Sequence, residues 1–214
     1  MLITLEGIEG SGKTTQINYI AAHLKDLGHE CVITKEPGGT VIGGKIRSIL
    51  LDPENKSIDP LAELLLYAAD RVQHIKEFIA PALESGKIVI CDRFCDSTTV
   101  YQGFTRGVDI DLIHQLNKLV LKGVEPDITF ILDLPPELGL ERAWNQINNG
   151  SRSVMETRFE KEKLCFHENV RKGYLKLAKK EPDRFVVIDA SVEEALVREA
   201  IIGKLKEFLI LRKM

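Results

Sequence analysis

The sequence predicts an α/β domain of three layers, with a parallel five-stranded sheet between two layers of helices. Two observations predict it. Short apolar runs of strand length alternate with longer runs of helical spacing along the chain, and that alternation builds parallel strand–helix–strand units. Polar or glycine-bearing loops at 7–14, 36–39, 92–98 and 133–136 follow the strand-like runs. In such sheets these loops gather at the carboxyl edge, where ligands bind.

The elements follow in order. Leu2 to Glu6 is a short apolar run ending at Gly7, the first buried strand. Ile17, Ile20, Ala21, Leu24 and Leu27 recur at helical spacing from Lys13 until Gly28 closes the helix. Cys31 to Ile33 reads as a second strand before the EPGG loop at 36–39, and Ile46 to Leu51 as a short helix. Asp59-Pro60 is an N-cap with proline at the first helical position. A long helix is expected from there to about Ser85. Ile88 to Ile90 is a strand leading into Asp92-Arg93, and Ile110 to Leu121 is helical. Ile128 to Leu132 is a strand, followed by DLPPE and a helix resuming near Glu137. The polar stretch NQINNGSRSVME, 145–156, is expected to be mobile. A charged helix over about 157–180, a strand over Phe185 to Ile188 and a helix from about Val192 complete the pattern.

At 214 residues the chain suits one such domain, with a small lid segment at about 142–158. Charged residues make up 29% and no apolar run reaches membrane-spanning length. No secretory leader is legible, so a cytoplasmic location is expected. The formal net charge of −3 gives no bulk attraction to nucleic acid. The four cysteines form no C-x-x-C pair, and Cys91 ends an apolar run as a core residue would.

The first loop carries chemistry. Gly7-Ile8-Glu9-Gly10-Ser11-Gly12-Lys13-Thr14, with Thr15 after it, fits G-x-x-x-x-G-K-[ST] in full, with a strand before and a helix after. Backbone amides and a helix N-terminus there hold phosphate oxygens. Lys13 is expected to bridge the terminal phosphates and the Thr14 hydroxyl to ligate Mg²⁺. A nucleoside triphosphate is therefore the expected ligand. A guanine-reading switch is disfavoured because Asn117-Lys118 lacks the following aspartate of N-K-x-D. An ATPase with a carboxylate at Asp133 stays open, although the chain leaves little room for a second machine domain. Arg47, Arg71 and Arg93 instead suggest a second, phosphorylated substrate, since a guanidinium forks onto phosphate.

GIEGSGKTT, KEPGGT, LLLYAADR, CDRF and STTVYQG stand in an order and spacing that resembles the bacterial thymidylate kinases, P-loop kinases of nucleoside monophosphates. The likeness runs from Leu2 to about Asp189. It implies the transfer of a phosphoryl group from ATP to dTMP. Other nucleoside or nucleoside monophosphate kinases, and a non-catalytic nucleotide switch, remain as alternatives.

The resemblance also implies roles. Arg93 would clamp the acceptor phosphate, with Asp92 beside it near the Mg²⁺ shell. Glu36, Arg47 and Leu51 would line the monophosphate site, and Tyr67 would stack on the base. Arg71 would reach the thymine edge. Ser97, Thr98, Tyr101 and Gln102 would read thymine and exclude a ribose 2′-hydroxyl. Lys35 stands where arginine is common. Glu9 would accept from the acceptor's 3′-hydroxyl. Some relatives carry a closing arginine directly after this acid; here that position is Gly10. The charge is then expected from the lid, with Arg152 and Arg158 ahead of Arg142. A homodimer through the long helices is expected, with no membrane or nucleic-acid partner.

Overall fold

The computed structural model describes residues 1–212. Its five strands are β1 (Leu2–Glu6), β2 (Cys31–Lys35), β3 (Ile88–Asp92), β4 (Ile128–Asp133) and β5 (Phe185–Asp189). They form one sheet in the order β2-β3-β1-β4-β5, every pair parallel. Ile3 lies opposite both Ile90 and Ile128. β1 is buried along its length, as a central strand covered on both faces must be. Alternation sorts the core between the two faces: Ile88 and Ile90 join the larger cluster, Val89 and Cys91 the smaller.

The helices are α1 (Lys13–Asp26), α2 (Val41–Leu51), α3 (Pro60–His74), α4 (Ala80–Glu84), α5 (Cys95–Thr98), α6 (Ile110–Leu121), α7 (Pro136–Asn148), α8 (Leu164–Lys180) and α9 (Glu194–Leu211). Several depart from the sequence reading. α2 starts at Val41 rather than Ile46, because the Thr40 side chain caps it by accepting from Gly43 N at 2.9 Å. Gly43 is needed there, since a Cβ would collide with Asp70 Oδ1 on α3. The long helix after Asp59 is not uniform. A π-helical turn, Ile75–Ile79, joins α3 to α4, and Pro81 in the next turn lacks the N–H of a regular helix.

The region 95–105 had no helical expectation, yet α5 continues into a π-helical segment, Thr99–Thr105. The segment expected to be mobile from 145 is helical to Asn148 and then makes a short 3₁₀ turn, Val154–Glu156. α8 begins at Leu164, not 157. Residues 157–160 are buried and turn inward, with Arg158 N donating to Leu51 O at 3.2 Å. Among the described residues no helix is long and apolar enough to cross a membrane.

Candidate active site

One cavity of about 840 Å³ opens at the carboxyl edge of the sheet. The first four loops named from the sequence contribute very differently to it. Those after β1, β2 and β3 line it, whereas Asp133 and its neighbours lie elsewhere. Asp133 is held in a two-bond ion pair with Arg171 of α8.

The loop 7–14 wraps the start of α1. Gly10 (φ 69°) and Gly12 (φ 91°) take left-handed backbone that favours glycine. A Cβ on Gly10 would also strike the carbonyl oxygen of Gly139 on α7. The close seat of α7 therefore leaves no room for an arginine at this position. Lys13 Nζ donates to Gly7 O at 3.1 Å, Ile8 O at 2.9 Å and Ser11 Oγ at 3.2 Å. Burial, together with the Arg93 charge, lowers the lysine pKa to about 8, although Asp92, Glu9 and Glu6 oppose the shift. Glu9 to Thr15 line the cavity, whereas Gly7 and Ile8 do not, and their carbonyls hold Lys13.

Thr14 Oγ1 donates to Asp92 Oδ2 at 3.0 Å. A hydroxyl and a carboxylate together are hard oxygen donors of the kind Mg²⁺ takes when substrate phosphates and waters fill its other positions. Among the described residues there is no group of three or more His, Cys, Asp or Glu side chains placed to hold a metal.

Across the cavity, Arg93 sits at φ 67°, directly after β3. Its guanidinium donates to Glu9 Oε1 and to Tyr174 Oη, each at 3.1 Å, and lies 5.0 Å from the Tyr101 ring centre. Glu9 is buried and accepts further from Tyr101 Oη at 2.7 Å and His167 Nδ1 at 3.1 Å. Burial alone would raise the Glu9 pKa. The His167 hydrogen bond and the charges of Arg93, His167 and Lys13 outweigh it and hold the carboxyl well below the usual range. Glu6, three residues earlier at the end of β1, accepts from Phe94 N, Ser97 Oγ and Tyr174 Oη, and burial followed by the Asp96 charge pushes its pKa up.

Glu36 is also engaged on both oxygens. Arg71 Nε donates to it at 2.7 Å, and His74 Nδ1 pairs with it at 2.9 Å. Arg71 Nη2 reaches Thr98 Oγ1 at 3.1 Å. Tyr67, Leu51 and Gln102 line the same side, and burial raises the Tyr67 hydroxyl pKa. Arg47 forks onto Glu156 at 2.9 and 2.7 Å and donates to Pro37 O. This joins α2 to the segment expected as lid.

The three lid-region arginines have separate fates. Arg152 lines the cavity and pairs with Glu160. Arg158 does not line it; buried, it pairs with Glu63 of α3 and donates to Leu50 O. Arg142 donates to the carbonyls of Ala190 and Ser191. Glu6, Glu63, Glu156, Glu160, His167 and Tyr174 were not anticipated. For two of them a signal exists: His167 and Tyr174 are seven apart on α8, hence on one face.

The sheet order, the 7–14 loop at the head of α1 and the cavity beside it define a P-loop kinase fold, which joins a nucleotide cradle to a second substrate pocket. A family model described as thymidylate kinase matches residues 5–201. The chain is 55% identical to a thymidylate kinase of Desulfosudis oleivorans, over 96% of each chain. It is likewise 55% identical to one of Geobacter sulfurreducens, over 88% of each. A crystal structure of thymidylate kinase from Ehrlichia chaffeensis superposes with a TM-score of 0.75 at 38% identity, covering 96% of this chain and 98% of that one. The chain belongs to the thymidylate kinase family.

Proposed function

We propose that this chain transfers the γ-phosphoryl group of ATP to dTMP, releasing ADP and dTDP. The observation that carries this reading is the Arg93–Glu9 contact of 3.1 Å. It brings a cation suited to an acceptor phosphate against the one acid of the donor loop, so a single cavity serves both substrates. The family membership supplies the thymine.

The acceptor is a phosphate monoester, whose second pKa is about 6, so it is largely a dianion at neutral pH. The reaction therefore needs no strong general base. It needs two anions brought together and the transferring group neutralised. In this reading the loop amides and Lys13 hold the ATP phosphates, and Lys13 exchanges its contacts with Gly7 O and Ile8 O for phosphate oxygens. Thr14 and Asp92 hold Mg²⁺, which when bound offsets charge on the phosphates. Arg93 clamps the acceptor phosphate, with Arg47 and Glu36 on the same side. Glu9 accepts from the 3′-hydroxyl, Tyr67 stacks on the base, and Arg71, Ser97, Thr98, Tyr101 and Gln102 surround it. Residues 142–158 act as the lid of a single domain. Its cavity-lining arginine, Arg152, is the closing cation, and the placement of Arg158 favours a structural tie instead.

Two further points complete the reading. Exposed Leu61, Leu65 and Val72 on α3 stand beside exposed Leu112 and Leu119 on α6, an apolar face that supports a homodimer. The four cysteines are free thiols, which suits a reducing compartment such as the cytoplasm.

A coupled ADP-release assay with dTMP, dUMP, dCMP, UMP and thymidine tests the function. dTMP is expected to be turned over fastest. Faster turnover of thymidine would make the chain a nucleoside kinase, and nucleotide binding without any acceptor-dependent ADP release would make it a switch.

A further inference from the structure

Glu63 has no part in the reaction just described, yet it is 1% exposed and sits one layer behind the cavity. It gathers three side chains from two distant parts of the chain. Arg158 from the lid region forms an ion pair with its Oε2, and Arg106 stands 3.7 Å from its Oε1. Gln102 Nε2 donates to Oε1 at 2.7 Å. Gln102 itself is 1% exposed and lies in the π-helical segment Thr99–Thr105, with one edge on the cavity.

A side-chain amide can present either its donor or its acceptor to a ligand, and a buried one is set by what the protein offers it. An ion-paired carboxylate accepts and does not donate. Against Glu63 the amide must therefore turn its NH₂ inward, which leaves Oε1 for the cavity. An acceptor there matches a pyrimidine ring that carries a proton on N3, as thymine and uracil do. It meets the bare N3 acceptor of cytosine lone pair to lone pair.

We propose that Glu63 is a positioning residue for base selection: by fixing the orientation of the Gln102 amide it makes the site select N3-protonated pyrimidines and refuse cytosine. This rests on the reading of the cavity as the dTMP site. Arg158 completes the device by neutralising Glu63 from the lid region, so that the base-reading amide and the lid share one buried ion pair. A reversed amide would place Oε1 against Glu63 and NH₂ in the cavity, which is possible only if Glu63 can donate, as Glu63→Gln allows at nearly constant volume.

The test is the ratio of kcat/KM for dTMP to that for dCMP, in wild type and Glu63→Gln, each also in a Gln102→Ala background. The expected result is a fall of about tenfold in the ratio on Glu63→Gln, the size of one hydrogen bond won or lost, carried by KM for dTMP. In the Gln102→Ala background the same change should leave the ratio where it was. Equal losses on both substrates, which a merely structural role would produce, overturn the proposal. If Glu63→Gln does not fold, the wild-type chain decides by NMR. The Gln102 side-chain NH₂ protons should be slow to exchange without ligand and unmoved by dTMP. Protons that exchange freely and become protected by dTMP would show the opposite orientation. A wild type that ignores dTMP overturns the functional reading, whereas a wild type that turns over dTMP beside a Glu63→Gln variant with an unaltered ratio overturns the role of Glu63 alone.

Discussion

Arg93 and Glu9 stand 84 positions apart in the chain and 3.1 Å apart in the fold. The pair closes the gap between the end of β3 and the phosphate loop on β1, so the cation for one substrate is oriented by the loop that cradles the other. Tyr101 and His167 share the same carboxylate, and the acid therefore stays in place if the arginine is removed.

Arg93→Ala is thus expected to act on chemistry rather than on folding of the loop. Removing one preorganised cation from developing charge costs about 10²–10³ in turnover. dTMP-dependent ADP release should fall by that factor, while the ATP dissociation constant, read by calorimetry, stays within about twofold. Unchanged turnover would remove Arg93 from the acceptor site.

ATP affinity should depend on Lys13. Burial and the Arg93 charge bring its pKa to about 8. Below that pH the ammonium is present; above it the proton is lost and the phosphates lose a partner. Affinity measured from pH 6.5 to 9.5 should be flat at first and then weaken by up to about tenfold per pH unit. Lys13→Met should bind weakly with no such break.

The two lid-region arginines should separate cleanly. Arg158→Ala breaks a buried pair with Glu63, a loss of about 3–5 kcal/mol in stability measured by urea unfolding. Arg152→Ala, at a partly exposed site on the cavity, should leave stability nearly unchanged and lower kcat by about 10²-fold, with dTMP affinity retained. The reverse pattern would exchange their roles.

Asp70 makes a stability prediction with a definite sign. Burial first, then the Glu36 charge, raises its pKa from 3.8 to about 6, against the Gly38 N–H bond and the charges of His74 and Arg71. Between those two values the native chain holds a proton that the unfolded chain has released. This group therefore lowers stability as pH rises from about 4 to about 6, and the loss is complete above. Asp70→Asn keeps the acceptor for Gly38 N, which is bound at 3.0 Å. It should be more stable than wild type at pH 7 by about 1–3 kcal/mol and equal to it near pH 4. A variant less stable at pH 7 would contradict this.

The apolar face of α3 and α6 should be covered by a second copy. Wild type is expected to sediment at twice the 24.0 kDa chain mass, and Leu65→Asp at the chain mass itself. A wild type that sediments as a single chain would end this reading.

What the sequence determined by itself was local. Gly7 to Thr14 can be read directly because a strand, a glycine turn and a helix N-terminus lie within a dozen residues. The five strands stood out because a sheet buried on both faces demands unbroken apolar runs. Asp59-Pro60 marked the start of α3 for the same kind of reason: capping is settled within one turn. The tertiary structure decided whatever depends on distant partners. Residues 157–163 looked like the start of a charged helix, but Arg158 and Glu160 are buried in ion pairs, and charge there reports a partner rather than solvent. Whether Arg152 or Arg158 faces the cavity depends on how the 3₁₀ turn at Val154–Glu156 rotates the chain, which no periodicity records. Gly10 could be seen to lack an arginine, but only the seat of α7 against it shows why none fits. Glu63 gave no signal at all, since one glutamate on a helix is ordinary until Arg158, Arg106 and Gln102 converge on it. Hydrogen bonds and ion pairs across 39 to 158 positions are set by packing, and packing is a property of the folded chain.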